Sequence, residues 1–202
     1  MVRRTKEEAE ETRRFLLKTA LKLFSERGIK SVTLAQIAKE AGVTRGAIYW
    51  HFRDKADMLN ALWVTISGPL ETMYRPLMES LEGDPLDLLE EVARSFFLQL
   101  ADNDDMQQIC RISAQAMGDP DLEASWRSVC QKEQQGLEGL LQRAKDFGSL
   151  AQGVSAECAS LVYTGYLDGV VGQWMFEKQS DPDWLKHEAD TLAKLVIKGL
   201  RC

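Results

Sequence analysis

Apolar residues recur every three or four positions along most of this chain, which is the spacing that one face of a helix requires. The first such stripe runs over residues 16–24 and ends at Gly28. No segment alternates between apolar and polar residues as a half-buried strand would. The pattern predicts an all-α protein, with helical segments at 33–42, 44–52, 54–66, 86–100, 106–117, 121–148, 155–176 and 182–200.

The breaks between these segments also have chemical signals. Gly68 and Pro69 interrupt the pattern of the helix that begins after Asp54, so we expect that helix to end there. A turn is expected at residues 83–85, and the acidic run 102–105 separates the next two helices.

The two short segments at 33–42 and 44–52 have the caps of a helix-turn-helix. Thr33 is followed three residues later by Gln36, a capping box in which each side chain bonds the backbone of the other residue. Gly42 ends the first helix because glycine adopts the left-handed conformation common at helix ends. Thr44 then caps the second helix.

The surface of the second short helix suits DNA. A major groove admits a narrow helix tip that carries hydrogen-bond donors. Small residues beside an arginine meet that requirement, and neighbouring polar and aromatic side chains can hold phosphates. Spacing alone leaves open an ordinary two-helix corner that binds no nucleic acid. The side chains concerned are Arg45, Gly46, Ala47, Tyr49, Trp50 and His51.

The stretch TLAQIAKEAGVTRGAIYWHFRDKADML, together with the opening RRTKEEAEETR, resembles the DNA-binding core of TetR-type transcriptional repressors, especially those that control multidrug efflux pumps. The similarity is strong over residues 1–63 and rests on helix layout beyond them. It implies a homodimer whose N-terminal three-helix domains bind a palindromic operator in double-stranded DNA. The C-terminal helices are then expected to form an effector pocket and the dimer interface.

The resemblance also implies roles for individual residues. Arg45 and Thr44 are expected to touch base edges, which specify the sequence, while other residues hold the DNA backbone, which positions the protein. Gly46 and Ala47 belong to the same surface. The residues expected at the backbone are Thr33, Tyr49, Trp50, His51 and Lys55.

Charge divides the chain in the same way. Residues 1–55 hold 13 Lys and Arg against 7 Asp and Glu, whereas residues 56–202 hold 12 against 24, for a net charge of −6 overall. A basic head suits a polyanion, and an acidic body suits cationic ligands or simply solubility. We therefore predict a helix-turn-helix DNA-binding domain at 1–55 and a helical ligand-binding and dimerisation domain at 56–202.

Large apolar side chains in the acidic body are candidates for an effector pocket. Aromatic rings and methionine sulfur suit flat hydrophobic compounds, although such residues at helical spacing are more often core packing. Trp63 lies on the helix that links head to body, so it can transmit occupancy to the head. The candidates are Trp63, Phe96, Phe97, Met106, Met117 and Trp126.

The segment 155–176 is apolar on most sides and carries small residues that allow another helix to approach closely. Together with 182–200 it predicts a four-helix bundle formed with a second subunit, which a two-fold operator requires. A buried hairpin within one monomer is the alternative. The small residues are Ala156, Ala159, Gly165, Gly169 and Gly172.

Several classes of protein are not indicated. No apolar run approaches the length of about 18 residues that a membrane helix needs, and the charged start lacks the features of a signal peptide, so a cytoplasmic location is expected. The four widely spaced cysteines suggest reduced thiols, with a redox sensor as the alternative. Two histidines without ligand spacing, and no phosphate loop or nucleophile elbow, predict no metal, no cofactor and no enzyme.

Together these patterns predict a ligand-responsive, homodimeric repressor of efflux genes. An activator, or a DNA-binding protein that senses no small molecule, has the same sequence features. A helical enzyme is the third class, and the absence of a nucleophile-base or metal-ligand pattern disfavours it.

Overall fold

The computed structural model describes residues 6–80, 83–116, 120–176 and 181–202. Side chains are described over the same ranges except at 67, 69–80, 115–116, 120–130, 132–133 and 176. The described residues form α-helices joined by loops and turns, which confirms the all-α class. Its helices are α1 (Lys6–Arg27), α2 (Leu34–Glu40), α3 (Arg45–His51), α4 (Lys55–Ser80), α5 (Pro85–Asp102), α6 (Asp104–Ala116), α7 (Pro120–Phe147), α8 (Ala156–Phe176) and α9 (Pro182–Leu200).

The predicted break at Gly68 and Pro69 is wrong, because α4 continues through both residues to Ser80. Proline has the φ angle of a helix and lacks only its own N–H donor, so a long helix can pass through it at a local cost of about 3 kcal/mol. The predicted turn before α5 is confirmed, since Gly83 has a φ of +119° and Asp84 caps the helix. None of the helices in the described ranges has the length and hydropathy needed to cross a membrane.

The chain forms two compact units. The first comprises Met1–Ile66 and Gln108–Val129, and the second comprises Ser67–Gln107 and Cys130–Cys202. In the first unit, apolar stripes of α1, α2, α3 and the start of α4 are buried together, so the three-helix head has its own core. The fully or almost fully buried side chains of this core include Leu16, Ala20, Phe24, Ile37, Ile48, Phe52 and Met58.

The second unit is built on the pairing of α5 with α9, which pack against each other. Each of the two helices buries one stripe of residues. Each also begins at a proline that directly follows an aspartate N-cap. Helix α8 adds Tyr163, whose hydroxyl donates a hydrogen bond to the Leu89 carbonyl at 2.8 Å. The buried stripes are Leu86, Leu89, Ala93, Phe97 and Leu100 on α5, and Leu185, Ala189, Ala193, Val196 and Leu200 on α9.

A polar cluster holds the end of the chain to the start of α5. The Asp84 carboxylate accepts hydrogen bonds from the Leu86 N–H at 2.9 Å, from Ser149 Oγ at 2.6 Å and from Arg201 Nη1 at 2.7 Å. The other guanidinium amino group of Arg201 bonds the Asp87 carboxylate. One side chain therefore caps a helix and joins two distant segments.

Replacing Asp84 with alanine should lower the free energy of unfolding by about 2 kcal/mol. The loss combines an N-cap, worth about 1 kcal/mol, with a partly buried ion pair that solvent screens. Asp87→Ala is the matched control, because the Asp87 side chain is 72% exposed whereas that of Asp84 is 11% exposed. Urea denaturation followed by circular dichroism measures both variants. Equal midpoints for the two would show that the cluster contributes nothing beyond a surface ion pair.

Candidate nucleic-acid interface

The capping box predicted at the start of α2 is confirmed. The Gln36 N–H donates to Thr33 Oγ1 at 3.3 Å, and the Thr33 N–H donates to Gln36 Oε1 at 2.7 Å. These two bonds satisfy backbone donors that a helix start leaves without partners. Helix α2 consequently begins at a defined residue and turns its apolar stripe into the core.

The corner between α2 and α3 depends on the backbone of Gly42, which has a φ of +68°. An added Cβ at this residue would meet no atom within 4 Å, so glycine is needed for its conformation and not for space. The Val43 N–H then donates to the Ala38 carbonyl at 2.9 Å and closes the turn. Thr44 caps α3 by accepting the Ala47 N–H at 3.2 Å, as predicted.

Helix α3 is held from one side and open on the other. Ile48 is fully buried, and Phe52, which caps the end of the helix, is 1% exposed. The opposite face turns Arg45 and Gly46 to solvent, together with Tyr49 at 45% and Trp50 at 73% exposure. Exposed aromatic side chains that adjoin one another form a patch of the kind that marks interaction sites. The open face of α3 is therefore the candidate for the binding surface that the sequence predicts.

The side chains on this open face support one another. The Arg45 guanidinium carbon lies 5.6 Å from the centre of the Tyr49 ring, within cation–π range. The rings of Trp50 and His51 meet edge to face, with their centres 4.6 Å apart. Arg45 keeps its planar set of donors, which suits bidentate hydrogen bonding to guanine or phosphate.

Lys55 stands at the first residue of α4, where its charge and the helix N-terminus both attract anions. Its ammonium donates to the Ile29 carbonyl at 2.7 Å, a contact that sequence reasoning did not predict. An ammonium carries three hydrogens, so this bond orients Lys55 and leaves the group able to bind phosphate.

The sequence pattern predicts no role for two other basic residues of the head. The Arg53 side chain is 85% exposed and pairs with Asp57 at 3.5 Å. The Arg13 guanidinium reaches the end of α3, 38 residues further along the chain. No motif marks either residue, because a lone arginine on a helix face has no characteristic spacing.

The six residues predicted to line an effector pocket fall in several environments. Trp63 is half-buried in the first unit, whereas Phe96 is half-buried and Phe97 is fully buried in the second. Met106 is also buried in the second unit, as a core side chain would be. Met117 and the side chain of Trp126 lie outside the described part of the structure. A pocket built from these six residues stays a prediction.

A cleft of about 620 Å³ lies elsewhere, between α8 and α9 in the second unit. Its floor includes exposed glycines of α8, and two tryptophans form part of its wall. The sequence predicts these glycines as a surface for another helix, and it gives no sign of a cleft. The lining residues are Gly165, Tyr166, Gly169, Val170, Gln173, Trp174, Asp181, Trp184 and Leu192.

A three-helix head with a capped corner and an exposed helix tip defines a helix-turn-helix DNA-binding protein. Residues 16–62 match the family model described as bacterial regulatory proteins, tetR family. The chain belongs to the TetR family of transcriptional regulators, and it is a DNA-binding regulator, not an enzyme.

Similarity to individual proteins extends over the whole chain. The HTH-type transcriptional regulator AcrR of Shigella flexneri is 32% identical over 206 aligned residues, which cover 100% of this chain and 95% of AcrR. TtgR of Pseudomonas putida is 34% identical over 179 residues, or 87% of this chain and 85% of TtgR. The crystal structure of NalD, described as the secondary repressor of the MexAB-OprM multidrug efflux pump in Pseudomonas aeruginosa, superposes with a TM-score of 0.79. That structure is 29% identical and covers 97% of this chain and 98% of NalD.

Proposed function

We propose that this protein is a homodimeric repressor of multidrug efflux pump genes that hydrophobic small molecules release from a palindromic operator. Residues 1–55 form the DNA-binding domain, and residues 56–202 bind the effector and the second subunit. The open face of α3 carries the proposal, because it combines Arg45 with a narrow tip at Gly46. Similarity to NalD, described as a repressor of a multidrug efflux pump, supports the choice of target genes.

At the DNA, the tip of α3 enters the major groove. Arg45 and Thr44 reach base edges, and Gly46 and Ala47 allow the backbone to come close. The surrounding side chains then hold phosphates and set the depth of insertion. These are Thr33, Tyr49, Trp50, His51 and Lys55, of which Lys55 is oriented by its bond to the Ile29 carbonyl.

The second subunit packs on the glycine-bearing face of α8. A Cβ added at Gly165, Gly169 or Gly172 would meet no atom within 4 Å, and none of these glycines has a positive φ. Glycine inside a helix costs about 1 kcal/mol relative to alanine, and no contact among the described residues compensates for this cost. Close approach of a helix from outside the chain supplies the reason.

Apolar side chains surround these glycines and remain in water in the single chain. Leu161 is 68% exposed and Val162 is 47% exposed on α8, while Trp184 and Leu195 are 48% and 54% exposed on α9. Association of two such faces removes this apolar surface from water, which is favourable by about 25 cal/mol for each Å². The same association gives two heads for the two half-sites of an operator.

Selection of DNA fragments by the purified protein tests the proposal as a whole. The selected fragments should contain a palindrome and should lie beside genes for a transport system. Fragments without two-fold symmetry would contradict the dimeric mode of binding. Palindromic fragments next to unrelated genes would contradict only the efflux target.

Effector binding should depend on Trp63. Hydrophobic cationic dyes should quench tryptophan fluorescence and release operator DNA, because an aromatic ring attracts both apolar surface and positive charge. Trp63→Ala should weaken both effects by about tenfold, the equivalent of about 1.4 kcal/mol, whereas Trp63→Phe should retain most of them. If a panel that also includes bile-acid-like anions leaves operator affinity unchanged, the protein is a DNA binder without such an effector.

A further inference from the structure

Helix α3 receives a contact from outside the helix-turn-helix, through Arg13 of α1. One guanidinium nitrogen, Nη1, donates a hydrogen bond to the His51 carbonyl at 3.2 Å. The guanidinium carbon lies 4.6 Å from the centre of the Phe52 ring. Arg13 is half-buried, so solvent screens both contacts less than it would on an open surface.

This contact acts on the C-terminal end of α3, at the residue before its cap. The helix has only seven residues, and a helix of two turns is not stable alone in water. Thr44 caps its beginning, and Ile48 anchors its middle. At its end, the last carbonyls have no partner within the helix and carry partial negative charge. A cation that bonds one of them and stacks on the next ring fixes where the helix ends.

We propose that Arg13 is a positioning residue, which sets the direction of the recognition helix without contacting a base. This inference rests on the proposed function, since it concerns how α3 reads the operator. A small rotation about the Ile48 anchor moves the tip residue Arg45 relative to the base edges. Bidentate base contacts depend strongly on such geometry, whereas phosphate contacts tolerate small shifts.

The next residue along α1 provides a matched control. The Arg14 side chain is 75% exposed, and it pairs loosely with Glu10 at 3.9 Å. Arg14→Ala therefore removes the same charge from the same helix, but it does not remove a contact with α3. Any difference between Arg13→Ala and Arg14→Ala reflects the position of the side chain and not its charge.

The first measurement is affinity for operator and for random DNA at 50 mM and 200 mM salt. Arg13→Ala should lower affinity for the operator by about tenfold, which corresponds to roughly one charged hydrogen bond. Its affinity for random DNA should fall by less than about twofold, and the salt dependence of that binding should not change. Arg13→Lys should resemble Arg13→Ala, because an ammonium lacks the planar group that stacks and bonds together. Arg14→Ala should stay within about twofold of the wild type on both DNAs.

The second measurement is amide hydrogen exchange in the free, full-length protein. The Phe52 N–H, which donates to the Ile48 carbonyl at 2.9 Å, should exchange faster in Arg13→Ala and Arg13→Lys. Amides in the middle of α1 should keep their wild-type rates in both variants. Faster exchange confined to the end of α3 is the signature of positioning, which a general loss of stability does not produce.

Three results would overturn the inference. Equal losses on operator and random DNA, with a salt slope smaller by about one per subunit, would make Arg13 a phosphate ligand. Faster exchange throughout the head, with preference for the operator retained, would make it only a stabilising residue. Unchanged preference and unchanged exchange in both variants would remove any role. If the wild type itself prefers no DNA sequence, the proposed function fails first, and the inference fails with it.

Discussion

Arg45→Ala should weaken binding to the operator by about 1 to 3 kcal/mol at each half-site and should blur the preference for the correct bases. Arg45 is exposed at the start of α3, next to the narrow tip formed by Gly46, and its guanidinium is held near the Tyr49 ring. The variant removes donors that read base edges, and it leaves the buried side of the helix intact. Fluorescence anisotropy with operator variants mutated one base pair at a time measures both affinity and preference.

Lys55→Ala is the comparison for this experiment. It removes a charge at the N-terminus of α4 and should weaken binding to all sequences alike, with a salt dependence smaller by about one per subunit. Lys55→Ala also removes the hydrogen bond to the Ile29 carbonyl, and the Tm of the free protein measures the resulting loss of stability. If Arg45→Ala and Lys55→Ala both keep full operator affinity at moderate salt, α3 is not the recognition helix.

Gly169→Leu should convert the protein to a monomer and reduce operator affinity by about 100-fold or more. A bulky side chain on the open face of α8 keeps the partner helices apart, although a Cβ at this residue meets no atom of the described residues within 4 Å. Two linked heads bind DNA more tightly than one by about 10²- to 10⁴-fold through effective concentration, and a monomer loses this gain. Sedimentation velocity measures the assembly, and anisotropy measures the DNA affinity.

Gly139→Leu on α7 is the matched control for this substitution. Gly139 is also exposed, and an added Cβ there also meets no atom within 4 Å. Leucine favours a helix over glycine, so this variant should remain dimeric and at least as stable as the wild type. Equal behaviour of the two variants would show that α8 is not the dimer face. A monomeric Gly169→Leu that still binds tightly would separate assembly from DNA binding.

Regulation follows from the geometry that these two experiments probe. Two heads on one face of DNA must lie about 34–36 Å apart, or a multiple of this distance, to enter successive major grooves. An effector releases the operator only if it binds better to a form with a different spacing. The measurable consequence is reciprocal, since operator DNA must weaken effector binding by the same factor.

The amino-acid sequence determined the elements whose causes are local. Thr33 and Gln36 cap α2 across three residues, and Gly42 supplies a conformation that residues with a side chain rarely adopt. Apolar spacing likewise predicted most of the described helices, because a stripe at that period has one way to be buried. The family followed from the same short stretch, since the caps, the corner and the tip all lie within twenty residues.

Only the tertiary structure decided contacts between residues far apart in the chain. Arg13 meets the end of α3 across 38 residues, and Arg201 meets Asp84 across 117. The course of α4 through Pro69 was also missed at the level of the sequence, because one proline carries a local penalty of about 3 kcal/mol and does not by itself end a long helix. The spacing of apolar residues indicates which face of a helix is buried. It does not indicate which charged side chains of two helices come into contact, because this depends on how the helices pack.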